Sequence, residues 1–404
     1  MKKLISFILV FAFALLNFSV SEENTMFDYQ PFYELTGNYG FKLGAPLSYS
    51  QLFDTAYLDV VKYHFNSITC TNEMKAYSLL NQSMCKRSED GMPRMDYTHA
   101  DAMVQWAQDN GIGVRGHVLV WDAYMTDWFF HEDYDTRKPY ADTETMRQRL
   151  KSYIEQVVTH FEEKFPGVVY CWDVVNEAVG DSILEYDVTD ARHVRTMRSG
   201  AENPFYKYVG SDYIEYSFLC ARDTLDALGS DCKLYYNDYN TFYSDKRTAI
   251  TALIGSINSY AVDADGQPRK LLDGIGMQGY IGGYGQQSGC MNNGDLTSIK
   301  QSILAYSALG VEVQITEMAV RNYDPDQADA HAEFYARLFK VFRSLYSEGT
   351  SPLKAVSIWG LIDYPTISKD NYTYKMNGSN GGLITEKYQS KKATELVYDV
   401  LLGN

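Results

Sequence analysis

Two glutamates stand at the ends of short apolar runs, and their positions favour carboxylate chemistry. Glu177 follows the run Val168–Asn176, and Glu317 follows the run Val311–Thr316. Runs rich in β-branched and aromatic residues predict buried strands. Two carboxyl groups that face one another can act as proton donor and nucleophile in the cleavage of a glycosidic bond. A lone glutamate at a strand end is usually an ordinary residue, so the hypothesis depends on the pair.

Similar runs recur along the chain and predict eight strands, separated by amphipathic segments that predict helices. The predicted strands are Phe41–Ala45, Ser67–Thr71, Gly113–Val120, Val168–Asn176, Lys233–Asn237, Gly274–Gln278, Val311–Glu317 and Ala355–Trp359. The predicted helices include Asp96–Asn110, Thr143–Phe165, Asp212–Leu228, Ser244–Tyr260, Leu296–Leu309 and Asp326–Tyr346. Strands that alternate with helices pair in parallel, and eight such units predict an α/β fold closed into a (β/α)8 TIM barrel. An open doubly wound sheet is the alternative.

A barrel of this kind carries its active site on the loops at the C-terminal ends of its strands. Polar and aromatic side chains are dense at those predicted ends. They include Asn72, Lys75, His117, Trp121, Asn176, Tyr239, Gln278, Tyr280 and Trp359, in addition to the two glutamates. We therefore expect these residues to surround one cleft.

The N-terminus predicts export. Lys2 and Lys3 precede the apolar run Leu4–Leu16, and small residues at 19–21 offer a cleavage point. This pattern is typical of a secretory signal peptide over residues 1–21, and the run is too short to span a bilayer of about 30 Å. We expect residues 22–404 to form one catalytic domain, secreted to the extracellular space and monomeric, without a membrane partner after cleavage.

Composition narrows the choice of partner. The chain has 36 Lys and Arg against 52 Asp and Glu, a net charge of −16. Nucleic acid is therefore an unfavourable partner, because binding to its backbone needs clustered cations. The 34 tyrosines, 19 phenylalanines and 5 tryptophans suit a sugar-binding cleft, although they serve a protein core equally well.

Six cysteines in an exported chain make disulfides possible. Short separations favour bridges between Cys70 and Cys85 and between Cys220 and Cys232, while Cys171 lies inside a predicted strand. The chain has no Cys-x-x-Cys pair and no histidine pair at ligand spacing, so we expect neither a metal nor another cofactor.

At this point the chain resembles glycoside hydrolase family 10, the endo-β-1,4-xylanases, over nearly its whole length beyond residue 21. The matching segments follow one another in order: Phe65-Asn66-Ser67, Asn72-Glu73-Met74-Lys75, Arg115-Gly116-His117-Val118-Leu119-Val120-Trp121, Trp172-Asp173-Val174-Val175-Asn176-Glu177-Ala178, Tyr236-Asn237-Asp238-Tyr239-Asn240, Gly274-Ile275-Gly276-Met277-Gln278-Gly279, Ile315-Thr316-Glu317 and Trp359-Gly360. The resemblance implies hydrolysis of internal xylan bonds by a retaining double displacement, with Glu177 as acid/base and Glu317 as nucleophile.

The resemblance also implies substrate-binding roles for the residues around the pair. Asn176 would bond the sugar 2-hydroxyl, and Tyr239 would stack on the leaving side. Lys75, His117 and Gln278 would line the reacting subsite, and Asn72 would line the next subsite toward the non-reducing end. Trp121 and Trp359 would wall the pocket, and Tyr280 would contact the nucleophile.

Several positions depart from the family pattern around the glycone side and the nucleophile. Thr71 stands where the family usually has Glu, Tyr280 where it has His, and Met318 where an Asp follows the nucleophile. Asp122 replaces a histidine, and Tyr364-Pro365-Thr366 offers no second cleft tryptophan. We expect an active enzyme with an altered glycone side and a pH profile set mainly by Glu177, because a phenol does not become cationic as an imidazole does.

Three other functions are compatible with parts of the pattern. A retaining β-1,4-glucanase or mixed-linkage glucanase could use the same barrel, since glucose differs from xylose only by a hydroxymethyl group. A non-catalytic xylan-binding barrel is the alternative from another class. A dehydrogenase, prompted by Gly282-Gly283-Tyr284-Gly285, lacks the fingerprint spacing.

Overall fold

The computed structural model describes residues 25–181, 194–195, 199–281, 293–364 and 378–404. The predicted signal peptide, Cys290 and the glycine-rich segment 282–285 lie outside the described residues. Within the described ranges, no helix combines the length and apolarity needed to cross a bilayer.

In the described parts of the chain, nine strands form one sheet, and all of its pairings are parallel. They are β1 Lys42–Leu47, β2 Ser67–Cys70, β3 Gly113–Gly116, β4 Val169–Asn176, β5 Lys233–Asp238, β6 Gly274–Met277, β7 Tyr280–Ile281, β8 Glu312–Val320 and β9 Leu353–Ile358. Each strand from β1 to β6 pairs with its neighbour, β6 pairs with β8, β8 with β9, and β9 with β1. Eight strands therefore close into a ring, and the two-residue strand β7 pairs with β8 beside it. This closure confirms the (β/α)8 barrel and makes the open-sheet alternative wrong.

Helices lie between the strands, as the amphipathic segments predicted. The helices in the described ranges are α1 Phe32–Gly37, α2 Thr55–His64, α3 Ala76–Leu79, α4 Gln82–Cys85, α5 Thr98–Asp109, α6 Thr143–Lys164, α7 Pro204–Tyr208, α8 Tyr213–Leu228, α9 Ser244–Ser259, α10 Asn293–Ser307, α11 Ala328–Arg343 and α12 Lys392–Leu402. Short 3-10 turns cover Met26–Asp28, Tyr49–Phe53, Asp122–Tyr124, Asp127–Phe130, Glu132–Tyr134 and Pro325–Gln327.

The third strand is shorter than predicted, and this difference shapes the site. Regular pairing of β3 ends at Gly116, where a Cβ atom would lie 2.5 Å from the Trp172 ring. After two intervening residues, the chain hydrogen-bonds to β4 again: the amides of Leu119 and Val120 donate to the carbonyls of Asp173 and Val174. His117 lies in the interruption between these two stretches.

The two predicted disulfides are wrong, since all five described cysteines are free thiols. Cys70 ends β2 in the barrel wall, whereas the thiol of Cys85 on α4 accepts a hydrogen bond from the Arg94 amide at 3.2 Å. Cys220 lies on α8, and Cys232 lies just before β5 near Glu162 and Cys171. Short separation in sequence did not bring either pair of thiols together, because each member belongs to a different packed element.

Candidate active site

The two glutamates extend from the same rim of the barrel, at strands β4 and β8, which are separated by β5 and β6. Glu177 directly follows β4, while Glu317 lies inside β8, which continues to Val320 instead of ending at the glutamate. Glu177 has a φ of 54°, a conformation that is uncommon for a residue with a side chain and is concentrated at functional positions. Its amide donates to the Asn237 carbonyl at 2.9 Å, and its own carbonyl accepts from Arg195 Nη1 at 2.8 Å.

A chain of amide side chains joins the two carboxylates. Gln278 Nε2 donates to Glu177 Oε1 at 2.8 Å and to Asn176 Oδ1 at 3.2 Å. Asn237 Nδ2 donates to the same Asn176 oxygen at 2.9 Å and to Glu317 Oε1 at 3.2 Å. The pair therefore faces one small region, and the amides restrict the orientation of both carboxylates.

The environment of Glu177 favours its protonated form. Burial is the main reason that its pKa is raised to about 8, and the negative charges of Asp238 and Glu317 raise it further. The Gln278 hydrogen bond and the Arg195 charge act in the opposite direction. The charge of Glu317 therefore contributes to the raised pKa of Glu177, but burial and Asp238 have larger effects. Glu177 is thus protonated near neutral pH, which is the state that a proton donor requires.

Glu317 is held as a hydrogen-bond acceptor. The Tyr280 hydroxyl donates to its Oε2 at 2.6 Å, and Asn237 supplies the donor to Oε1. Asn237 is itself oriented by Thr316, whose hydroxyl donates to its Oδ1 at 2.7 Å. Two donors stabilise an ionised carboxylate, which is the form that a nucleophile requires.

A second group of predicted residues lines the region beside the pair. Lys75 Nζ donates to Asn72 Oδ1 at 3.1 Å and lies 5.1 Å from the centre of the Trp121 ring. Burial lowers the pKa of Lys75 to about 8, although the charges of Glu317 and Glu177 oppose this shift. The buried Asn176 Nδ2 has no hydrogen-bond partner in the described structure, so this donor is available to a substrate oxygen.

His117 is oriented by a buried ion pair. Its Nδ1 lies 2.7 Å from Asp173 Oδ2, and the Arg115 guanidinium makes a bidentate contact with the same carboxylate. Arg115 Nε also donates to Gln314 at 3.2 Å. This arrangement fixes the imidazole ring with Nε2 opposite the Asp173 contact. His117 and Trp121 have ring centres 5.8 Å apart, so they form one wall.

Tyr239 lies on the Glu177 side of the pair, supported by buried charges. The Arg195 guanidinium lies 4.1 Å from its ring centre, and Arg195 Nη1 also donates to Asp238 Oδ1 at 3.1 Å. Lys246 Nζ lies 3.1 Å from the other Asp238 oxygen. The fully buried Asp238 carboxylate is therefore paired with two basic side chains.

Sequence reasoning missed Arg195, Lys246 and the pair of Arg115 and Asp173 as parts of the site. The pair had a recognisable signal, because opposite charges at the centres of two adjacent apolar strands predict a buried ion pair. Arg195 had none, since it lies in a long connection after Glu177 whose path the pattern of residue types does not determine.

The other positions singled out in the sequence lie near the C-terminal ends of barrel strands, but they differ in their exposure to solvent. Trp359 directly follows β9 and is partly exposed. Met318 is fully buried beside Gly279, and the buried Asp122 has its pKa raised to about 6 by desolvation. The described residues contain no group of three His, Cys, Asp or Glu side chains arranged to hold a metal ion.

Comparisons with known proteins agree with this geometry. The family model for glycosyl hydrolase family 10 matches residues 32–400. One relative, from Caldicellulosiruptor saccharolyticus, is provisionally named an endo-1,4-β-xylanase and is 33% identical over 302 residues. The match covers 72% of this chain and 88% of that protein. Endo-1,4-β-xylanase A of Thermotoga maritima is 32% identical over 363 residues, covering 87% of this chain but 29% of that protein.

Solved structures share the fold. The xylanase and carbohydrate-binding modules of Clostridium thermocellum endo-1,4-β-D-xylanase 10B, complexed with xylohexaose, match with a TM-score of 0.74 at 27% identity. The match covers 92% of this chain and 68% of that one. The family match spans the barrel and both glutamates. The chain therefore belongs to glycosyl hydrolase family 10.

Proposed function

We propose that the protein is an endo-1,4-β-xylanase that hydrolyses internal bonds of xylan with retention of configuration. The observation that carries this proposal is the contrast between the glutamates: Glu177 has a pKa raised to about 8, whereas Glu317 accepts hydrogen bonds from Tyr280 and Asn237. The names of the relatives and the xylohexaose complex support xylan as the substrate.

The chemistry proceeds in two displacements. Glu317 attacks the anomeric carbon while Glu177 protonates the departing glycosidic oxygen, and a glycosyl ester of Glu317 forms. Because the ester has no negative charge, one of the influences that raise the pKa of Glu177 disappears. Glu177 then takes a proton from water, which attacks the anomeric carbon and releases Glu317.

Substitution of Glu177 by Gln tests this mechanism. We expect reducing-sugar release from xylan to fall by about 10²- to 10⁴-fold, the usual contribution of general acid–base catalysis. Formation of the glycosyl-enzyme from a dinitrophenyl xylobioside should remain fast, since that leaving group needs no proton. Glu163→Gln at an exposed position is the control and should behave as wild type. Equally slow release of reducing sugar from xylan by wild type and Glu177→Gln would favour the non-catalytic binding barrel.

The atypical glycone side is part of the proposal. The buried Thr71 hydroxyl has no hydrogen-bond partner among the described residues, and its side chain carries no charge. The nearby Glu73 does not replace that charge, because its oxygens accept from the amides of Tyr49 at 2.7 Å and Asn72 at 3.0 Å. Glycone hydroxyls therefore have one charged partner fewer than the family pattern provides.

Tyr280 tests the altered setting of the nucleophile. Tyr280→Phe removes the 2.6 Å donor to Glu317, so we expect kcat/KM on xylo-oligosaccharides to fall about 10- to 100-fold, the loss from one hydrogen bond to a charged group. Tyr280→His should restore activity and add an ionisation near pH 6.5 to the acidic limb of the pH profile. Tyr39→Phe, which loses a hydroxyl bonded to the Leu401 carbonyl, is the control. An unchanged acidic limb in Tyr280→His would contradict this role.

Relative rates on xylan, mixed-linkage glucan and carboxymethyl cellulose distinguish the xylanase from a glucanase on the same barrel. Faster hydrolysis of either glucan would support the alternative. Export is a further element of the proposal and is supported by the charged and apolar pattern of residues 1–21. N-terminal sequencing of protein recovered from the culture medium tests it, with a new terminus near residue 22 as the expected result.

A further inference from the structure

A row of aromatic rings begins at the predicted pocket wall and leads outward. The ring centres of Trp121 and Tyr124 are 4.4 Å apart, and those of Tyr124 and Tyr77 are 5.5 Å apart. Tyr124 ends the 3-10 turn after Trp121, while Tyr77 lies on α3, two residues after Lys75. Both elements follow C-terminal ends of barrel strands, so the row lies on the same face as the catalytic pair.

The inner rings and the outer ring have different surroundings. The Lys75 ammonium lies 4.1 Å from the centre of the Tyr124 ring, and Trp121 packs beside the same ring. The Tyr124 ring thus contacts Lys75 and Trp121 on its inner side and packs against Tyr77 on its outer side. Tyr77 is 42% exposed, so part of its ring and its environment remain open to a ligand.

The row also has a definite position relative to the two glutamates. It joins the site at Lys75 and Trp121, which follow β2 and β3, whereas Tyr239 follows β5 on the other side of β4 and Glu177. Tyr239 and Arg195 contact the Glu177 side instead. Because the acid protonates the leaving sugar and Tyr239 lies on that side of Glu177, the aromatic row on the opposite side lies toward the glycone.

We propose that Tyr77 is the stacking platform of an additional glycone subsite for xylose, supported by Tyr124 and Trp121. The proposal rests on the xylanase function proposed above. An aromatic ring can pack on the C–H face of a pyranose while the phenol reaches a hydroxyl, and such a contact needs no charged side chain. This platform suits a chain in which Thr71 provides no carboxylate on that side.

Chain-length dependence tests the proposal. Tyr77→Ala should lower kcat/KM on xylohexaose by roughly two- to tenfold, the range of one aromatic contact, and leave xylotetraose nearly unchanged. Tyr77→Phe should retain most of the xylohexaose activity because the ring remains. Tyr346→Ala is the matched control: Tyr346 is 38% exposed and packs on Tyr39, yet it follows α11 at the opposite end of the barrel.

Products of xylohexaose labelled at its reducing end locate the subsite. Loss of an outer glycone subsite should shift cleavage by Tyr77→Ala toward the non-reducing end. An equal effect on both oligosaccharides, no effect, or a shift toward the reducing end would overturn the proposal. Failure of wild type to cleave any xylo-oligosaccharide would instead refute the xylanase function, and the subsite would be refuted with it.

Discussion

The charges around Glu177 have opposite effects on its proton affinity. Burial and the Asp238 carboxylate raise its pKa to about 8, while the Arg195 guanidinium lowers it. Arg195 also bonds the Glu177 carbonyl and Asp238, so it holds the backbone of the residue whose proton affinity it adjusts. It is a positioning residue, since it acts through its contacts with Glu177, Asp238 and Tyr239.

The alkaline limb of the pH profile reports this balance. Glu177 must be protonated to act as acid, so wild-type kcat/KM on xylo-oligosaccharides should fall as pH rises through about 8. Arg195→Met removes a cation that lowers the pKa, and the limb should move to higher pH. Arg269→Met, which removes a cation paired with Asp223 and Asp226 ahead of β6, is the control. A limb that stays in place or moves to lower pH in Arg195→Met would contradict this electrostatic role.

The sequence was sufficient to locate the site residues at the ends of strands, but not to show which charged residues contact them. Glu177, Gln278 and Glu317 could be predicted because each directly follows or ends an apolar run. The order of influences on Glu177 could not, because Asp238 and Arg195 approach it only through the fold. Proximity in three dimensions decided which charge had the larger effect.

At the scale of elements, β3 and β4 are joined by an ion pair as well as by their hydrogen-bond ladder. Arg115 and Asp173 are both fully buried, and Asp173 also orients His117. Removal of one member of a buried pair leaves an uncompensated charge, which costs about 3–5 kcal/mol.

Arg115→Met should therefore lower the free energy of unfolding by about 3–5 kcal/mol, measured by urea denaturation. Lys151→Ala removes a member of an exposed pair with Glu155 on α6 and should cost about 0–1 kcal/mol. A comparable loss in both variants would show that burial of the pair is not the source of its effect. The Asp173→Asn, Arg115→Met double variant should be less destabilised than the sum of the single changes.

Strand and helix type could be predicted from periodicity, whereas several boundaries and short elements could not. Regular pairing of β3 ends at Gly116, where a glycine is required because a Cβ atom would meet the Trp172 ring, a contact between strands that local sequence does not encode. Helix α2 was missed although Asp54 caps it by accepting from the Tyr57 amide. The cap and the apolar positions Leu58 and Val61 were a sufficient signal for this helix.

At the scale of the molecule, acidification has opposing effects on stability. Burial lowers the pKa values of His64 and His331 to about 4, so between pH 6.5 and 4 the unfolded chain takes up protons that the native state refuses. Each histidine therefore destabilises the fold as pH falls through this range. Glu177 and Asp122 have raised pKa values, about 8 and 6, and act in the opposite sense because the native state binds protons first.

The contribution of one histidine can be separated from this balance by comparing slopes. His331 is 1% exposed, and its Nε2 lies 3.0 Å from the Val320 carbonyl, a contact that a Gln amide can replace. Between pH 7 and 4.5, the free energy of unfolding of His331→Gln should rise relative to wild type by about 2 to 3 kcal/mol. Any fixed cost of repacking cancels, because it is the same at both pH values. Gln108→Ala at an exposed position changes no titratable group and should follow the wild-type curve. Parallel curves for His331→Gln and wild type would mean that the native state accepts a proton at His331, and burial would then not be controlling its ionisation.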